Sequence, residues 1–89
     1  MKNRQLYVKV ASGESWYPNF PGDTVLVSRG KMHEKIDGKT TYYVSIWGND
    51  DTGMQRYFHD SYEARSIYNK ITKKHVRKAE LKELGFSQA

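Results

Sequence analysis

Asp60-Ser61-Tyr62-Glu63-Ala64-Arg65-Ser66-Ile67-Tyr68-Asn69-Lys70-Ile71 sets Ala64, Ile67, Tyr68 and Ile71 at the spacing of one helical face. Asp60, three positions before Glu63, has the spacing of a capping box, with Asp in the place of the commoner Ser or Thr. The pattern predicts a helix from Ser61 to about Lys73 that lays its apolar stripe on a sheet.

Upstream the period is two. Thr40 to Trp47 (Thr-Thr-Tyr-Tyr-Val-Ser-Ile-Trp) is the most strand-like run of the chain, and Thr24 to Met32 begins with β-branched residues. Between them, Asp37-Gly38 is the favoured centre of a two-residue type I′ turn. Pairing Ile36 with Lys39 and continuing without interruption sets Ile46 opposite Arg29, Val44 opposite Lys31 and Tyr42 opposite His33. That register assigns Val25, Val27, Tyr42, Val44 and Ile46 to the covered side. Leu26, Ser28, Met32, Tyr43, Ser45 and Trp47 fall on the other. Arg29 and Lys31 lie on the covered side toward the hairpin tip, where their stems are expected to snorkel outward.

Leu6, Val8 and Val10 alternate with polar neighbours and predict a first strand. Residues 11–23 contain Pro18, Pro21 and two glycines, Gly13 and Gly22, and read as a loop. Residues 49–53 read as a second turn, and Met54 to Phe58 as a fourth strand turning Tyr57 or Phe58 inward. Beyond Ile71, Val76, Ala79, Leu81 and Leu84 form a less regular stripe, which leaves two arrangements open: the helix continues, or a second begins near Thr72 or Lys73 after a bend. Gly85 followed by Phe86 matches a glycine C-cap, and Ser87-Gln88-Ala89 is expected to fray. The resulting fold class is α+β: a four-stranded antiparallel meander with a C-terminal helix or helix pair on one face, in a single domain spanning 1–89.

A chain of 89 residues supplies one modest core, and its seven Tyr, three Phe and two Trp let few positions bury much area. With no cysteine, disulfides, thiolate nucleophiles and Cys-ligated metal sites are excluded, and a reducing cytoplasm is the expected compartment. No run reaches the roughly 18 apolar residues of a membrane span, so no membrane partner is expected.

Charge is unevenly placed. Residues 1–60 carry eight Lys or Arg against seven Asp or Glu, whereas residues 61–89 carry seven against three. Lys70, Lys73, Lys74, Arg77, Lys78 and Lys82, in the basic helical segment 61–85, would share much of one exposed side if that segment were regular helix. Such a side suits phosphates, although Lys and Arg are also ordinary on any solvated helix face. A second surface is aromatic. Trp16, Tyr17 and Phe20 in the loop, with Tyr43 and Trp47 on the outer sheet side, are candidate protein-contact residues. The competing reading makes the loop a second cover that lands on Leu26, Tyr43 and Trp47.

Catalytic patterns are weak. His33, His59 and His75 come from three different elements and show no ligand spacing. Residues 49–52 lack the pattern of a calcium loop, and His59-Asp60-Ser61 are sequential neighbours that build no relay. The expectation is therefore an enzymatically inactive protein without cofactor or metal that docks on a larger macromolecule as inhibitor or adaptor, in the manner of a small bacterial or phage regulator. A DNA- or RNA-binding accessory protein using the basic segment is the alternative. A protein partner is expected first, nucleic acid second, with self-association a further option for so small a domain.

Overall fold

The β-branched and aromatic runs pair as strands and the 3.6-residue stripe packs on them as a helix. The computed structural model describes residues 3–14, 16, 24–48 and 53–88. In chain order it contains β1 (Arg4–Lys9), β2 (Thr24–Lys31), β3 (Tyr42–Trp47), β4 (Gly53–Phe58), α1 (Ser61–Thr72), α2 (Lys78–Glu83) and β5 (Ser87–Gln88). The strands form one antiparallel sheet in the order β1-β2-β3-β4-β5. The α+β class and the meander hold. The sheet gains a fifth strand because Ser87 and Gln88, expected to fray, pair with Gln55 and Met54 on the edge of β4.

The turn between β2 and β3 has the expected chemistry. Asp37 (φ 54°) and Gly38 (φ 72°) both lie in the left-handed region, as a type I′ turn requires, and Ile36 and Lys39 exchange backbone hydrogen bonds of 3.1 and 3.0 Å. The register beyond it is corrected by two residues: Val27 faces Ile46, Arg29 faces Val44 and Lys31 faces Tyr42. The ladder extends from β2 to Met32, whose N–H donates to Thr41 O at 2.8 Å, and the chain then bends at His33-Glu34 before the turn. The extra length sits on one arm only. Because the offset is two and not one, every side chain keeps its assigned side.

Arg29 departs from expectation more sharply. Instead of snorkelling it is 7% exposed, with its guanidinium 5.3 Å from the centre of the Tyr68 ring. Tyr68 is a buried residue of α1, and it roofs the position the arginine stem would have used to reach water.

Asp60 caps α1 by accepting a hydrogen bond from Tyr62 N at 2.9 Å. Glu63 does not reach back to complete a capping box. Its carboxylate takes a 2.9 Å ion pair with Arg56 on β4, and the other arm of Arg56 donates to Leu84 O at 2.9 Å. One guanidinium thus ties the sheet to α1 and to the end of α2. Ala64, Tyr68 and Ile71 are buried, and α1 lies mainly over β2, β3 and β4.

After Thr72 the chain leaves the helix. Val76 pairs with Val10 in a parallel bridge: Val76 N donates to Lys9 O at 3.0 Å and Ala11 N to Val76 O at 2.9 Å. A single helix through Leu84 is thereby excluded. The second helix starts at Lys78, later than expected, because a buried β-branched residue has been recruited to the free edge of the sheet. Gly85 (φ 87°) ends α2, with Phe86 N bonded to Leu81 O at 2.9 Å and Gly85 N to Lys82 O at 3.1 Å, both bonds of a Schellman cap. Leu81 and Phe86 join Val8, Val10, Val25, Val27, Val44, Ile46, Met54 and Phe58 in one core on the helix side of the sheet. Among the described residues, no helix is long and apolar enough to cross a membrane.

Candidate functional site

Alternation along the strands sends half of the sheet's side chains away from the core, and register arranges them in rows. The first row is Tyr7, Leu26, Trp47 and Gly53; the second is Gln5, Ser28, Ser45 and Gln55; the third is Gly30, Tyr43 and Tyr57. Rows two residues apart along a strand are separated by roughly 6.6 Å, so the two ring-bearing rows lie about 13 Å apart with hydroxyls and amides between them. No described helix lies over this face. Tyr7 is 71% exposed and Tyr57 48%, while Leu26, Tyr43 and Trp47 are half-buried and Ser28 and Ser45 are buried. None of the described positions in these rows carries a carboxylate or an ammonium group; Lys9 stands at the next position along β1 on this side.

Two glycines hold the half-buried rings. Trp47 and Gly53 are direct cross-strand partners, and a Cβ on Gly53 would fall 2.6 Å from Trp47 Cδ2 and 2.7 Å from Cζ3. Tyr43 and Gly30 are likewise partners, and a Cβ on Gly30 would fall 2.7 Å from the Tyr43 hydroxyl and 2.9 Å from Cε2. Each ring therefore covers bare backbone of the neighbouring strand, which fixes its orientation and leaves part of the ring open. Neither glycine has a positive φ, so what both provide is space. Strand periodicity alone does not reveal this pairing, although the register exposes it as soon as glycine is found opposite an aromatic residue.

The other candidate contact residues divide. Trp16 is 3% exposed and belongs to the core, with the Lys78 ammonium 4.9 Å from the centre of its ring. It lines a cleft on the helix side with Met54, Lys82 and Phe86, so it neither displays its ring nor lands on Leu26, Tyr43 and Trp47. Of the two roles open to the loop, Trp16 takes that of cover, on the opposite side from the one expected. Tyr17 and Phe20 lie outside the described residues.

The basic residues do not form one stripe, because the helix that would align them is interrupted at 73–77. Lys70, Lys73, Lys74, Arg77, Lys78 and Lys82 are all exposed. Lys73, Lys74 and His75 line a shallow groove with Tyr7 and Lys9 at the β1 edge, whereas Lys78 and Lys82 flank the Trp16 cleft. Lys74 is in addition paired with Glu80 at 2.5 Å. Among the described residues, no three His, Cys, Asp or Glu side chains gather as metal ligands.

Neither a family model nor a curated protein nor a solved structure matches this chain.

Proposed function

We propose that this protein is a non-catalytic docking module that seats its outer sheet face on a partner protein and acts as an inhibitor or adaptor in the cytoplasm. The observation that supports this reading is the composition and openness of that face: pinned or exposed rings at Tyr7, Tyr43, Trp47 and Tyr57 around a floor of Ser28 and Ser45. Tyrosine with serine gives large, amphipathic contact area at low entropic cost, and charged groups are depleted at the centres of protein interfaces as they are here. A chain without cysteine suits a reducing compartment.

A second reading rests on the β1 edge. Tyr7 there adjoins Lys9, Lys73, Lys74 and His75, a combination of ring and cations that suits single-stranded nucleic acid. It ranks second because the rest of the described platform carries no cation to follow a phosphate backbone.

The double variant Tyr7→Ser, Tyr57→Ser separates these outcomes, since both rings are exposed and their removal spares the core. Stoichiometric capture of one protein by the parent chain, weakened at least tenfold in the folded double variant, supports the docking reading. Capture unchanged by the substitutions excludes the outer face as the contact surface. Binding of random single-stranded oligonucleotides that falls steeply between 50 and 200 mM salt, as about six or more phosphate contacts would make it, promotes the second reading. Sedimentation of the protein alone tells whether a second copy occupies the face.

A further inference from the structure

On the helix side of the sheet, Arg29 is more than nine-tenths buried, and its Nε and Nη1 have no hydrogen-bond partner among the described residues. Buried polar groups in native proteins are paired almost without exception, and a buried charge is costly when nothing opposes it. No described carboxylate compensates this one. Burial holds the guanidinium below its ordinary pKa; the charges of Arg65 on α1 and Arg4 on β1 press it further in the same direction, and Tyr68 acts weakly against them. An arginine nonetheless stays protonated, so three cationic groups share one corner of the domain. Arg4 is the cross-strand partner of Arg29, and both Arg4 and Arg65 are exposed where an incoming ligand would meet them. Two carboxylates at the start of α1 are committed elsewhere: Glu63 pairs with Arg56 on β4, and Asp60 caps the helix.

We propose that Arg4, Arg29 and Arg65 form a binding site for a phosphate group. A guanidinium offers planar pairs of N–H donors that match phosphate oxygens, and a dianion answers more of the local charge than a carboxylate does. Arg4 and Arg65 draw the anion to the corner, and Arg29 supplies the enclosed donors that distinguish a built site from an ordinary basic surface. The site lies on the opposite side of the sheet from the aromatic rows and is independent of the docking proposal.

The test is thermal unfolding in inorganic phosphate against chloride at matched ionic strength, with the parent chain, Arg29→Met and Arg65→Gln. The unfolding temperature of the parent is expected to climb with the logarithm of phosphate concentration once the site begins to fill. Arg29→Met should melt higher than the parent in chloride, because methionine fills the space without a stranded charge, and should lose the phosphate-dependent rise. Arg65→Gln, on the exposed side of α1, should fold normally and show a rise shifted to at least several-fold higher phosphate. Phosphate also stabilises proteins generally by exclusion from their surfaces. An equal rise in all three proteins would reduce the effect to that general one and overturn the site, as would no rise in the parent.

Discussion

Trp16→Ala is expected to cost about 3–5 kcal/mol, a large share of the roughly 5–15 kcal/mol that holds a small domain together. Trp16 is 3% exposed and closes one end of the core near Met54 and Phe86, with Lys78 over its ring. Removing it deletes the largest kind of apolar side chain and opens a cavity between the sheet and the tail. That tail cannot adjust freely, since Val76 is bonded to β1 and Phe86 is fixed by the cap of α2. The Lys78 backbone N–H also donates to Glu14 at 3.3 Å, so the segment bearing Trp16 and the start of α2 are linked. Urea denaturation followed by far-ultraviolet circular dichroism measures the loss. A tryptophan displayed for a partner would change stability by less than about 0.5 kcal/mol, as surface substitutions do, and that outcome would return Trp16 to the contact surface.

The second large effect belongs to a residue with no side chain. Gly53→Val is expected to cost about 1–3 kcal/mol, because the new methyl groups must occupy space already taken by the Trp47 indole. Either β4 moves away from β3, breaking the pairing next to Met54, or the indole swings off the sheet. Both outcomes disorganise the first aromatic row. Gly13→Val serves as a contrast, since its Cβ would meet nothing within 4 Å and its cost comes from a φ of 83° alone. Thermal melts give the cost, and the emission of Trp47 in a Trp16→Phe background reports where the ring has gone. An unshifted melt with an unchanged emission maximum would contradict the description of the ring as pinned.

The elements that follow from local periodicity are legible in the sequence itself. Ala64, Ile67, Tyr68 and Ile71 mark α1, Asp37-Gly38 marks the turn, and Gly85-Phe86 marks the end of α2. Long-range competition decides the features that local patterns do not show. Val76 sits in a stretch that reads as helix, yet burial beside Val10 outweighs helix propensity, and this one bridge breaks up the basic stripe. Ser87 and Gln88 lack strand character and pair only because β4 presents a free edge where the chain returns. The aromatic residues divide along the same line. Alternation alone assigns Tyr43 and Trp47 to the outer side, whereas the burial of Trp16 depends on how the C-terminal segment folds back, which no local pattern encodes.

Among the described residues the sheet has one side filled by the core and one with no helix over it, a division on which the docking proposal rests, and acrylamide quenching of single-tryptophan variants tests it most directly. In Trp16→Phe the remaining indole is Trp47, expected to be readily quenched; in Trp47→Phe it is Trp16, expected to be shielded nearly as well as a core residue. Equal shielding of the two indoles would mean that the outer face is covered in solution and is no contact surface.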